Sequence, residues 1–299
     1  MSETVYVVTA ANKSEKYYEI LKESCVKNGC ELTTLGFGEK WGGFIWKYKQ
    51  MKKFLKTVKS NDIVIFVDGF DVIMNEHIDV FLDKYEKFNK SIVLSVIYNS
   101  DTVEFFEKRI FGTVKYNKSD YWLCSGMYVG HAGDLIRMID MMDIQIVNDD
   151  QVLLTRVVNN NPEFFDDNIA LDTQMELFTN AARPTFKDYI QKNDKSLTIS
   201  CYNNKILNSL GNPSVFVHGP GGVDLKPYLE KIGYTDIPDI DSYSAPQISH
   251  YLNLFIAGMF WYDWVIVFIV LIILILTIVM IIRVIRRKKL VSVKEANIK

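Results

Sequence analysis

Short apolar runs alternate with segments of helical period along the first hundred residues, and this alternation limits the fold more than any other feature. "TVYVVTA" (4–10), "CELTTLG" (30–36), "DIVIFVD" (62–68) and "SIVLSVI" (91–97) have the length and composition of strands. Between the first two lies "SEKYYEILKESCVKN" (14–28), apolar at helical spacing, with Ser14 placed to cap it. "KYKQMKKFLKTV" (47–58) reads as a basic helix. Continuous apolar strands suit a sheet covered on both faces. The rhythm predicts an α/β domain with a largely parallel sheet.

The second half is more broken. "MYVGHAG" (127–133) reads as a strand running into a turn, and "GDLIRMIDMM" and "DDQVLLTRVV" (149–158) as helices. "SVFVHGPGGV" (214–223) reads as a short strand entering a glycine-rich loop. "PDIDSYSAP" (238–246) has the composition of a linker.

The C-terminal region differs. "WVIVFIVLIILILTIVMII" (264–282) carries no charge, and as a helix it would span roughly 28 Å, about a bilayer core. Trp261, Tyr262 and Trp264 flank one end, and Arg283, Arg286, Arg287, Lys288 and Lys289 the other. The organisation expected is therefore an α/β domain over 1–237, a linker over 238–260, a transmembrane helix over 261–285 and a basic tail over 286–299. The first residues lack a basic region and a long apolar run, which favours a tail anchor with the domain in the cytosol. The basic cluster beyond the helix argues for the opposite, lumenal orientation.

Net charge is −2, which gives no electrostatic footprint for nucleic acid. The four cysteines, Cys25, Cys30, Cys124 and Cys201, contain no CxxC spacing, so neither a zinc cluster nor a redox pair is expected.

The chemistry concentrates in "IVIFVDGFDVIM" (63–74), a buried strand that ends in two acids three residues apart. Ligands of open α/β sheets bind beyond the carboxyl ends of the strands, where Asp68 falls. Two readings are open. Asp68 and Asp71 either share a hard divalent cation that holds a diphosphate, or accept backbone N–H groups in a capped turn.

The order of motifs resembles the glycosyltransferase domain of the procollagen lysyl hydroxylase/glucosyltransferase family and its viral relatives, over roughly residues 4 to 235. "TLGFGEKWGG" (34–43), "KYKQMKKFL" (47–55), "FVDGFDVI" (66–73), "WLCSGMYVG" (122–130), "DDQVLLTR" (149–156), "LDTQMELF" (171–178) and "VHGPG" (217–221) follow in that family's sequence. The resemblance implies a GT-A fold that transfers a hexose from a UDP-sugar with Mn2+, the donor being UDP-glucose or UDP-galactose. The acceptor would be a hydroxyl on a glycan or protein, of the hydroxylysine or galactosyl-hydroxylysine kind. It implies Asp68, Asp71 and His218 as metal ligands, Thr9 and Ala10 beside the uracil and ribose, and Lys47 near the nucleotide. Asp149 and Asp150 would line the sugar or acceptor side.

The residues themselves agree at several points. His218 precedes "GPGG", whose Gly219 and Gly221 let backbone N–H groups approach phosphate. "NDDQ" also opens a helix, so Asp149 and Asp150 are equally candidates for an N-cap. Lys47, Lys49, Lys52 and Lys53 read as a solvated face, with Lys47 nearest the Gly42-Gly43 pair. "WGGFIW" has the glycines of a mobile flap and tryptophans able to cover a sugar.

This chain departs from the family pattern. Cys124-Ser125-Gly126-Met127 stands where the family has Asn-Ser-Gly-Gly, and Asp224 stands near the lysine that follows the His-Gly loop. These changes keep a second reading open, a non-catalytic, membrane-tethered nucleotide- or sugar-binding protein. His77-Ile78-Asp79 superficially matches the iron triad of the family's dioxygenase domain, but its context reads as a helix start, so no iron site is expected.

Overall fold

The computed structural model describes residues 3–97, 111–142, 149–181, 199–221, 223–240, 264–265, 267–280 and 282. Its centre is a seven-stranded sheet in the order β2-β1-β3-β7-β5-β8, with β6 paired to β7. These strands are β1 (Val5–Ala10), β2 (Leu32–Leu35), β3 (Ile63–Val67), β5 (Ile92–Ile97), β6 (Val114–Tyr116), β7 (Ser119–His131) and β8 (Ile169–Leu171). β2, β1 and β3 are parallel neighbours, as are β5 and β8. β7 alone runs against the rest, antiparallel to both β3 and β5.

Alternation of side chains along the strands divides the core. Val8, Val64, Phe66, Leu94 and Tyr128 face one side. There they meet α2 (Phe44–Leu55), α4 (Ala132–Asp140), α5 (Asp150–Asn160) and α6 (Pro162–Asn168). Val7, Ile65, Val67, Val93 and Val129 face the other side, against α1 (Tyr18–Lys27) and α3 (Ile78–Glu86). Both faces are therefore dry, which is why 63–67 is apolar at every position. A second, three-stranded sheet joins β4 (Val72–Met74), β12 (Phe216–His218) and β9 (Phe178–Asn180). β10 (Ser200–Tyr202) and β11 (Lys205–Leu207) form a small ribbon, and α7 (Lys226–Lys231) closes the domain.

Two expectations are corrected. The strand read at 127–133 is the end of a 13-residue strand, β7, whose Ser125 and Gly126 look like a break in sequence. α1 begins at Tyr18 rather than at Ser14, whose hydroxyl donates to Glu19 Oε1 instead (2.6 Å). The loop before α1 turns back at Lys16, in the left-handed region at φ 51°, so the helix cannot extend that far.

Of the expected membrane segment, residues 264–265, 267–280 and 282 are helical, and the apolar side chains along them other than Val267 are exposed. Among the described residues, no helix is long and apolar enough to cross a membrane. The linker beyond residue 240, the basic tail and the remaining residues of 261–285 lie outside the described residues.

Candidate metal centre and donor site

β3 ends at Val67, and Asp68 is the first residue beyond it; its N–H still donates to Gly126 O of β7 (2.7 Å). Asp71 immediately precedes β4. Antiparallel pairing then sets Val72 opposite His218 at the end of β12. Gly219 N–H closes the join by donating to Asp71 O (2.8 Å). The pairing of β4 with β12 thus carries the His-Gly loop to the acidic turn. One ligand atom from each of Asp68, Asp71 and His218 lies within 4.8 Å of the others.

His218 Nε2 is 3.2 Å from Asp71 Oδ1 and makes no aligned hydrogen bond. Burial opposes charge on the imidazole, but the Asp71 carboxylate and the nearby Cys124 outweigh it and raise the pKa well above the ordinary value. Burial likewise opposes charge on Asp71, and His218, Lys47 and Lys16 overcome it, so its pKa is lowered. Gly126 faces this cluster. A Cβ there would fall 2.7 Å from Asp68 Oδ2 and 2.7 Å from His218 Cε1, so a side chain at 126 would enter the space between these two side chains.

Lys47 projects from α2 into the same site. Its Nζ is 2.7 Å from Asp68 Oδ1 and 2.7 Å from Asp150 Oδ2. Burial disfavours the ammonium, yet the two carboxylates more than compensate and hold its pKa above the usual lysine range. Lys47 is therefore a buried ion-pair partner, not part of a solvated face. Lys52 does lie on that face, paired with Asp140. The two acids before α5 divide their work. Asp149 is the N-cap, accepting from Val152 N–H (2.9 Å), while Asp150 turns to Lys47. Burial raises the Asp149 pKa.

Thr9 and Ala10 end β1, both buried. Thr9 Oγ1 has no hydrogen-bond partner among the described residues, and a Cβ on Gly69 would sit 2.9 Å from it, so the end of β1 adjoins the acidic turn. Gly219 allows a close backbone approach, since a Cβ would fall 2.6 Å from Val223 O. Because its N–H is engaged by Asp71, it is not a free donor for a diphosphate. Gly221 adopts φ 63°, where glycine is favoured. Of the "WGGFIW" segment, Trp41 and Phe44 are exposed while Trp46 is buried. Trp41 contacts Trp46 at 5.2 Å between ring centroids.

The remaining candidates have structural roles. Asp224 accepts from Tyr17 Oη (2.8 Å), and Lys226 pairs with Asp239 (2.6 Å). His77 is the N-cap of α3, its Nδ1 accepting from Asp79 N–H (3.3 Å). No iron triad forms around it among the described residues.

The family described as the PLOD GT domain matches residues 1–234. The chain belongs to the PLOD glycosyltransferase-domain family. It is 24% identical over 278 residues to procollagen-lysine,2-oxoglutarate 5-dioxygenase of Drosophila melanogaster, covering 83% of this chain and 36% of that protein. It is 25% identical over 193 residues to procollagen-lysine,2-oxoglutarate 5-dioxygenase 1 of Mus musculus, covering 60% and 26%. The chain thus matches about a third or less of the length of these relatives. Among solved structures it is similar to a glycosyltransferase involved in the glycosylation of the major capsid of PBCV-1. That likeness has a TM-score of 0.44 and 12% identity, and covers 77% of this chain and 100% of that one. It is too loose to bear on function.

A PLOD-family glycosyltransferase domain with two carboxylates and an imidazole converging at strand ends has a donor set suited to a divalent cation. The close approach of Gly126 and the double pairing of Lys47 escape sequence reasoning. For Gly126 a signal exists: a glycine inside an apolar strand marks a close approach.

Proposed function

We propose that this chain is a metal-dependent hexosyltransferase. It moves glucose or galactose from a UDP-sugar to a hydroxyl of a glycan or protein acceptor. The observation that carries the reading is the convergence of Asp68, Asp71 and His218 to within 4.8 Å from the ends of β3, β4 and β12. These residues hold the ion, Mn2+ in this reading, which when bound supplies Lewis-acid stabilisation of charge on the departing UDP. Thr9 and Ala10, at the end of β1, support the nucleotide; the unpartnered Thr9 hydroxyl is placed for a polar ligand atom. The loop from Gly219 to Gly221 brings backbone close to the diphosphate. Lys47 keeps a positive charge beside Asp68 and holds Asp150, which orients the donor sugar or acceptor, while Asp149 fixes the helix that presents it.

In this reading residues 1–237 are the catalytic unit and 261–285 anchor it to a bilayer, with the domain on the cytosolic side. The test is hydrolysis of a panel of UDP-sugars by the purified chain with and without Mn2+. Metal-dependent release of UDP from UDP-glucose or UDP-galactose supports the reading. No release from any UDP-hexose contradicts it and favours a non-catalytic binding protein.

A further inference from the structure

Asn180 is the last residue of β9, and the parallel pairing of β9 with β12 makes it the register partner of His218. The two side chains therefore leave the small sheet on the same face. Asn180 is 4% exposed, and its amide group has only one workable orientation. Its Nδ2 donates to Val96 O (2.9 Å) and approaches Ser95 Oγ (3.5 Å). A carbonyl accepts only, so the amide nitrogen must face β5. That leaves Oδ1 facing His218 Nδ1 at 2.8 Å. Oδ1 also accepts only, so Nδ1 carries the hydrogen. Cys124 Sγ, 3.6 Å from the same nitrogen, is at most a second, weaker acceptor. The register of β5 against β7 shifts between Leu94 and Ser95, directly before Ser95 and Val96, whose polar atoms hold the amide. Bulges of this kind re-aim side chains beside functional sites.

We propose that Asn180 is a positioning residue of the metal centre: it fixes the Nδ1–H form of His218, so that Nε2 presents its lone pair to a divalent cation beside Asp68 and Asp71. This rests on the metal-dependent reading above. The Nε2 atom fits it, buried and 3.2 Å from Asp71 Oδ1 without an aligned hydrogen bond. Asn180 touches neither substrate nor ion in this account. It acts through the ring, by setting which nitrogen is the donor and at what angle the ring stands.

The test measures Mn2+ affinity of the metal-free full-length chain from the electron paramagnetic resonance signal of unbound Mn2+. Asn180→Ala is expected to weaken affinity about 10- to 100-fold. Asn180→Asp, which keeps the acceptor, is expected to remain within about threefold. In a His218→Ala background, Asn180→Ala should cause no further loss, because its effect passes through that ring. Unchanged affinity in Asn180→Ala, or an equal loss with and without His218, overturns the proposal. Should Asn180→Ala fail to fold, Asn180→Asp decides alone: retained affinity supports the proposal and a tenfold loss overturns it. Wild-type chain that takes up no Mn2+ overturns the metal-centre reading, and this proposal with it.

Discussion

Lys47 on α2 and Asp150 at the start of α5 meet at 2.7 Å, although about a hundred residues separate them in the chain. The same ammonium holds Asp68 at 2.7 Å, so one buried cation ties the acidic turn to the helix carrying the second acidic pair. Removing it leaves two carboxylates facing one another with little water. Lys47→Met should lower stability by about 3 kcal/mol, the usual cost of stripping one partner from a buried ion pair. Saturating Mn2+ should raise the melting temperature of Lys47→Met by more than that of the wild type, because the ion restores positive charge beside Asp68. Thermal denaturation with and without Mn2+ measures both; equal metal-induced shifts would contradict the account.

Gly126 is where the backbone of β7 passes closest to Asp68 and His218 together. Its missing Cβ would lie 2.7 Å from both Asp68 and His218, so Gly126→Ala should displace one of them. The cost to folding should be about 1–3 kcal/mol, as for other overpacked sites. Mn2+ affinity should fall at least about tenfold, in line with the sensitivity of metal sites to ligand orientation. Calorimetric titration with Mn2+ separates the two effects. Wild-type affinity in a destabilised variant would show that the close approach shapes only the strand.

Asp149 and Asp150 should separate cleanly. Asp149→Ala removes an N-cap and should cost about 1 kcal/mol of stability. Its turnover of the donor should stay within a few-fold of wild type. Asp150→Ala should lose at least about a hundredfold in rate, the scale of a removed transition-state interaction. Similar losses in the two variants would mean that the pair serves the helix and not the reaction.

Asp172 supplies a pH test of folding away from the metal centre. Its side chain is fully buried and accepts three backbone N–H bonds, from Glu176, Leu177 and Phe178 (each 2.8 Å). Burial nevertheless pushes its carboxyl up to about 6. A folded pKa above the unfolded one means that protonation favours the native state. The contribution is fully present below about pH 4, the unfolded range, and is lost as pH rises through 6. The stability gap between wild type and Asp172→Asn should therefore widen by about 2 kcal/mol between pH 7.5 and pH 4. Denaturant titrations across that range measure it, and a gap that narrows on acidification would mean that the three N–H donors outweigh burial.

Asp68 and Asp71 stood out as candidates because two acids interrupt apolar runs at a strand end, where a covered α/β sheet exposes polar groups, while His218 was grouped with them only by the resemblance of the motif order. Asp149 was legible as a cap because acids before a helix have a local reason to be there. Lys47 was not legible as a buried pair, since a helix with four nearby lysines looks solvated until α5 is packed against it. Asn180 left no pattern in "LFTNAA"; its importance arises from the register of β9 on β12, which no local sequence signal encodes. Likewise β7 reaches back beyond the run read at 127–133, because Ser125 and Gly126 interrupt the apolar pattern without ending the strand, and the missing Cβ at 126 leaves room for Asp68 and His218.

The central claim is that Asp68, Asp71 and His218 hold one divalent ion, and that this ion holds the diphosphate of the donor. Calorimetric titration of UDP into the full-length chain, in Mn2+ and then in a chelator, tests it most directly. The account predicts binding in Mn2+, loss of at least about tenfold in chelator, and the same loss in Asp71→Ala with Mn2+ present, as removal of a metal ligand requires. UDP binding that is equally tight in chelator, or unchanged in Asp71→Ala, would contradict it.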